Sequence, residues 1–120
     1  MGLNPLSQLE VEQEIQRQVS ELKILTVSLV QRSADASIAD ANYKVSYSKA
    51  YLTALSMLDK PTVAQCEHWA TNECAELLFE KNRTAALLEA AKEKGRNVRA
   101  TLDALRSICA NLREAVVHDV

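Results

Sequence analysis

Tyr43, Tyr47 and Tyr51 recur every four residues, with Lys44 and Lys49 between them. Residues four apart lie one above another on a helix, so the three phenols form a stripe on one face. Tyrosine offers rigid apolar area with a polar tip, which suits a surface that meets another protein. Rings beside ammonium groups can also stack unpaired bases while the cations meet phosphates. Against both stands a plainer reading, in which the rings fill the core where neighbouring alanines leave room. The contact surface expected from this segment is Tyr47, Tyr51, Lys44 and Lys49.

A second cluster is cationic: Lys92, Lys94, Arg96 and Arg99, interrupted by Glu93. Widening the window to residues 81–106 adds Lys81, Arg83 and Arg106 against Glu89 and Asp103. Such a strip is a candidate for phosphate contact. The competing reading, which the chain favours, is a solvated helix face paired with the acidic start of the first helix, Arg99 near Glu21 and Arg106 near Glu14.

Cys66, His68 and Cys74 invite a metal reading, and geometry opposes it. On a helix His68 points about 200° away from Cys66, and the spacing of the two cysteines matches no zinc motif. Small buried thiols are expected instead. His118 sits past the last turn, where a cation complements the helix dipole. Asn82-Arg83-Thr84 matches a glycosylation acceptor pattern, read as chance on a helix. No Gly-rich phosphate loop, nucleophile elbow or pocketed carboxylate pair occurs. The expectation is a protein without catalytic residues, cofactor or metal.

The elements that carry these residues follow from what the chain lacks. Its prolines are Pro5 and Pro61, and its glycines are Gly2 and Gly95. Nothing forbids continuous helix on either side of Asp59-Lys60-Pro61-Thr62, which reads as one sharp turn. Apolar residues make up 48% of the 120, aromatics only 4%, and the apolar share is dominated by the strong helix formers Ala and Leu. The fold class is therefore all-α.

Ser7-Gln8-Leu9-Glu10 and Thr62-Val63-Ala64-Gln65 both have the form of a capping box. These set a single helical domain over residues 1–120, with a helix at 8–58, a turn at 59–62 and a helix at 63–117. In the first helix a seven-residue series stays apolar: Ile15, Leu22, Leu29, Ala36, Tyr43, Ala50, Met57. Val11, Val19, Leu25, Ala39, Tyr47 and Ala54 flank it. The second helix has Ala70, Leu77, Thr84, Ala91, Val98, Leu105 and Leu112, beside Cys74, Leu88, Gly95, Leu102, Cys109 and Val116.

Seams that keep a seven-residue register imply coiled-coil-like packing. A short turn makes the helices antiparallel, and facing residues then have numbers adding to about 120. Two stretches are the places where a helix would break: Ser33–Ala41, rich in Ser and Asp, and Lys94-Gly95. Gly95, lying on the apolar row, is otherwise a close-packing point between helices.

A two-helix hairpin covers one side of each helix. Ile24, Val27, Val30, Ile38, Leu52, Leu55, Leu78, Phe79, Leu87 and Ile108 are left over. So much uncovered apolar surface predicts self-association, as a four-helix bundle or a higher oligomer. A net charge of −2 draws the whole chain to neither nucleic acid nor an anionic membrane. The absence of a signal-peptide pattern or a spanning apolar run, with three cysteines outside any framework spacing, predicts a soluble cytoplasmic protein.

Two segments resemble a family of small helical proteins of bacteriophages and prophages. One runs Ala39-Asp-Ala-Asn-Tyr43-Lys-Val-Ser-Tyr47-Ser-Lys-Ala-Tyr51-Leu52, the other Leu102-Asp-Ala-Leu105-Arg106-Ser107 through Leu112-Arg113. The resemblance implies a helical hairpin, a host-cytoplasm setting and an accessory role beside phage recombination or replication proteins. It carries no catalytic residues. The segment with Cys66, Trp69 and Cys74 departs from the family pattern. Together these readings predict an oligomeric helical adaptor that binds a phage or host protein. The alternatives are a direct single-strand binder using Lys92, Lys94, Arg96 and Arg99, and an inhibitor of a host defence system or enzyme.

Overall fold

The computed structural model describes residues 7–118, with side chains through residue 115. The N-terminal tail and the side chains of Val116 and His118 therefore lie outside the described residues. Three helices follow one another: α1 (Gln8–Met57), α2 (Val63–Glu73) and α3 (Ala75–His118). They make a long antiparallel helical hairpin, one limb α1 and the other α2 with α3.

Both predicted capping boxes form. The Glu10 amide donates to Ser7 Oγ at 3.1 Å, and the Ser7 amide donates to the Glu10 carboxylate. At the turn the Gln65 amide donates to Thr62 Oγ1 at 3.1 Å while the Thr62 amide donates to Gln65 Oε1 at 2.9 Å. Each box satisfies amides that the first helical turn leaves without partners. Lys60 supplies the reversal of direction, with a φ of 45° in the left-handed region. Pro61 then sets the approach to the Thr62 cap.

Neither of the two stretches where a helix could have broken does so. Residues 33–41 stay helical inside α1, and Gly95 lies inside α3. A break does occur in the second limb, at Cys74, which has φ −106° and ψ 19°. It is one residue wide: the Cys74 amide still donates to Ala70 O at 3.0 Å, and the Leu78 amide to Cys74 O at 2.9 Å.

Packing divides into two compact units. The first joins α1 up to Leu29 with α3 from Ala91. Its core holds Val11, Gln18, Leu25, Ala91, Gly95, Val98, Leu102 and Cys109. Glu12 accepts from Arg113 at 3.0 Å and lies 3.9 Å from Cys109 Sγ, and Lys94 sits 3.6 Å from Glu21. The second unit spans Val30–Ala90 and buries Ala39, Ala54, Cys66, Ala70, Cys74 and Thr84. There Lys81 reaches Asp40 at 3.7 Å and lies 5.1 Å from the centre of the Tyr43 ring.

In each unit the cross-limb pairs follow the register expected from a tight turn. The specific pairs expected for the basic strip do not form: Glu21 takes Lys94 in place of Arg99, Glu14 bonds Arg17, and Arg106 approaches Asp103. Glu14 and Arg106 take neighbours three residues away on the same helix, which need no reach across the groove; Glu21 still pairs across it, with Lys94. Met57 is a second correction. It ends the apolar series but is 67% exposed, and Leu58 takes the inner position. Leu78, expected outside the seam, is half-buried.

Candidate functional site

The aromatic ladder is built by α1 alone. Tyr43 and Tyr47 have ring centres 5.7 Å apart at 45°, and Tyr47 and Tyr51 have centres 6.5 Å apart at 35°. All three are half-buried, lying on the same face as Ala39 and Ala54, which are buried against the second limb. Burial, and then the nearby charge of Glu67, push the Tyr47 hydroxyl above its ordinary range. The ladder is thus a seam whose outer edges remain accessible.

Its lysines do not act with it as one patch. Lys44 pairs with Asp40 at 2.8 Å on the exposed surface. Lys49 is exposed too, and its carbonyl accepts from the Thr53 hydroxyl. The ammonium over a ring belongs to Lys81 instead. Base stacking flanked by Lys44 and Lys49 therefore loses the geometry that motivated it: the rings turn toward the hairpin while the lysines remain in solvent.

The basic strip is exposed along α3, and its charges are shared. Arg96 donates to Glu93 at 2.8 Å and 3.0 Å, and Lys94 faces Glu21. Lys92 and Arg99 are exposed on the same helix. A cation held beside a carboxylate offers a phosphate less field than a bare one. Cys66, Cys74 and Cys109 are free, buried thiols. No group of three or more ligating side chains capable of holding a metal occurs among the described residues.

Residue spacing did not disclose one feature. An open cleft of about 610 Å³ lies at the turn, lined by Leu58, Asp59, Gln65, His68 and Trp69 among others. The available signal was Gln65, His68, Trp69 and Asn72 at helical spacing directly after Pro61.

The larger feature is on the other side of α1. Ile24, Val27 and Val30 are exposed, as are Ile38, Val45, Leu52 and Leu55. Phe79, Leu87 and Ile108 are exposed on α3. Of the apolar residues left over by the two seams, only Leu78 is drawn in. Among the described residues no helix is long and apolar enough to cross a membrane. Compared with family models, curated proteins and solved structures, the chain finds no match in any of the three.

Proposed function

We propose that this protein is a non-enzymatic helical adaptor that self-associates and binds another protein. The observation that carries the proposal is the row of large aliphatic side chains left exposed on α1, with Ile38 60% and Leu52 64% accessible. The hairpin's own core is thin: the largest side chains it buries completely are Val11 and Cys66. Fully covering an exposed Ile, Val or Leu gains about 1.5–3 kcal/mol, so association that covers this row has a substantial apolar gain available to it. The resemblance to phage helical proteins points to recombination or replication in an infected host as the setting, with inhibition of a host defence system or enzyme as another use of the same surface.

Light scattering across micromolar concentrations tests the self-association on which this rests. A mass above one chain is expected, and a strict monomer removes the proposal. Direct binding of single strands is the weaker reading, because Lys94 and Arg96 already have carboxylate partners. Titration of a labelled strand at two salt concentrations separates the two. Binding that weakens steeply with salt would restore the strand binder.

A further inference from the structure

The exposed residues of α1 are not scattered. Gln31, Ile38, Val45 and Leu52 stand seven apart, and so do Ala34, Ala41, Ser48 and Leu55, interleaved with the first row. Every one of these side chains is exposed. Alternate steps of three and four residues give the pattern of a coiled-coil seam. It is a second seam on the helix whose first seam, through Ala39, Tyr43, Ala50 and Ala54, packs in the hairpin. At about 100° per residue the two seams lie about 160° apart around the helix. Whatever covers the second one approaches from the side of α1 away from α2 and α3.

We infer that this face is a docking surface for a second copy of the chain, packed antiparallel along α1 with the twofold axis at the level between Ala39 and Asp40. The inference rests on the self-association proposed above and names the surface and orientation. In that register each seam residue meets the one equally far beyond the axis. Ile38 faces Ala41, and Ala34 faces Val45, so a large side chain meets a small one in each layer. The polar members also coincide, because Gln31 faces Ser48. The Ser48 hydroxyl already donates to Lys44 O at 3.0 Å, so its proton needs no new acceptor when covered.

Charge selects the orientation. Lys44 and Lys49 flank the seam on its two edges, one residue before Val45 and one after Ser48. In a parallel pair, flanking positions five residues apart meet across the interface, which sets Lys44 beside Lys49 at both edges. The antiparallel pair moves Lys44 beside Ser37 and brings Lys49 within reach of Asp35 of the second copy. Like charges are separated, and one opposite pair is gained at each end.

The full-length chain with Ile38→Glu tests the surface. Ile38 is exposed in the hairpin, so circular dichroism should stay helical while light scattering shifts from dimer to monomer. Phe79→Glu, an exposed apolar residue on the other limb, should leave the mass unchanged. Orientation is read by oxidative cross-linking of single-cysteine additions, with the unsubstituted chain as background for its buried thiols. Ala41→Cys, next to the axis, should give a linked dimer, and Leu55→Cys, far from it, should not. Cross-linking of both overturns the antiparallel register. A dimer indifferent to Ile38→Glu overturns the surface while leaving self-association standing. An unsubstituted chain that is monomeric, or that enlarges only with nucleic acid or another protein, overturns both.

Discussion

Gly95 shows how far one residue's meaning depends on its neighbours. Its place on the apolar row suggested a close approach of helices, and it is buried beside Leu25. Yet a Cβ built there would meet Leu25 Cδ2 at 3.5 Å, an ordinary van der Waals distance. Nothing in the packing demands glycine, and a helix interior disfavours it. Gly95→Ala should therefore stabilise the chain by about 1 kcal/mol, read as a higher urea midpoint; a loss of stability would mean the contact is tighter than it looks. Carboxylates at the same scale set the response to acid. Arg113 holds the Glu12 carboxyl below its usual 4.5, Lys44 lowers Asp40, Arg83 lowers Glu80, and Arg17 brings Glu14 down to about 2. A carboxyl that is easier to ionise when folded stabilises the fold above its unfolded value. That contribution is lost as pH falls through the folded one. Thermal melts should thus weaken progressively from about pH 5 toward pH 2, and added salt should shrink the difference because these pairs face solvent.

Elements were legible where the chain contains punctuation and illegible where it does not. Pro61 and the two capping boxes located the turn and both helix starts, since a missing amide and paired side-chain bonds act locally. The interruption at Cys74 had no such mark. Ala70, Asn72 and Cys74 are neither Gly nor Pro, and the break lies in a backbone conformation held partly by carbonyls of the preceding turn. The Ser33–Ala41 stretch stays helical, as the 8–58 span expects, because helix weakness summed from Ser and Asp is outvoted by packing of Ala36 and Ala39 on the seam. The Tyr ladder was legible as a face; which way it turned depended on the opposite limb. The Thr62 box permits a direct measurement. Thr62→Ala removes the acceptor for the Gln65 amide and should cost about 1 kcal/mol, whereas Thr62→Ser, which keeps the oxygen, should cost little. Equal losses from the two would mean that the methyl group, not the cap, matters.

At the scale of the whole molecule the question is what its stability is a property of. The seams bury mainly Ala, Cys and a few Val and Leu side chains, each with modest apolar area. Meanwhile Ile38, Val45, Leu52 and Leu55 lie in water along α1. If a second copy covers them, folding and association are linked, and the folded state is favoured by mass action. Melting temperature should then rise steadily as protein concentration is raised over two decades, each tenfold step favouring the dimer by about 1.4 kcal/mol. Ile38→Glu should flatten that dependence and leave the low-concentration melting temperature nearly unchanged, since the residue is exposed in the single hairpin. Calorimetry of both chains at matched concentrations makes the comparison. A native melting temperature independent of concentration would mean that the thin seams suffice alone, and that the aliphatic row on α1 is covered, if at all, by something other than this chain.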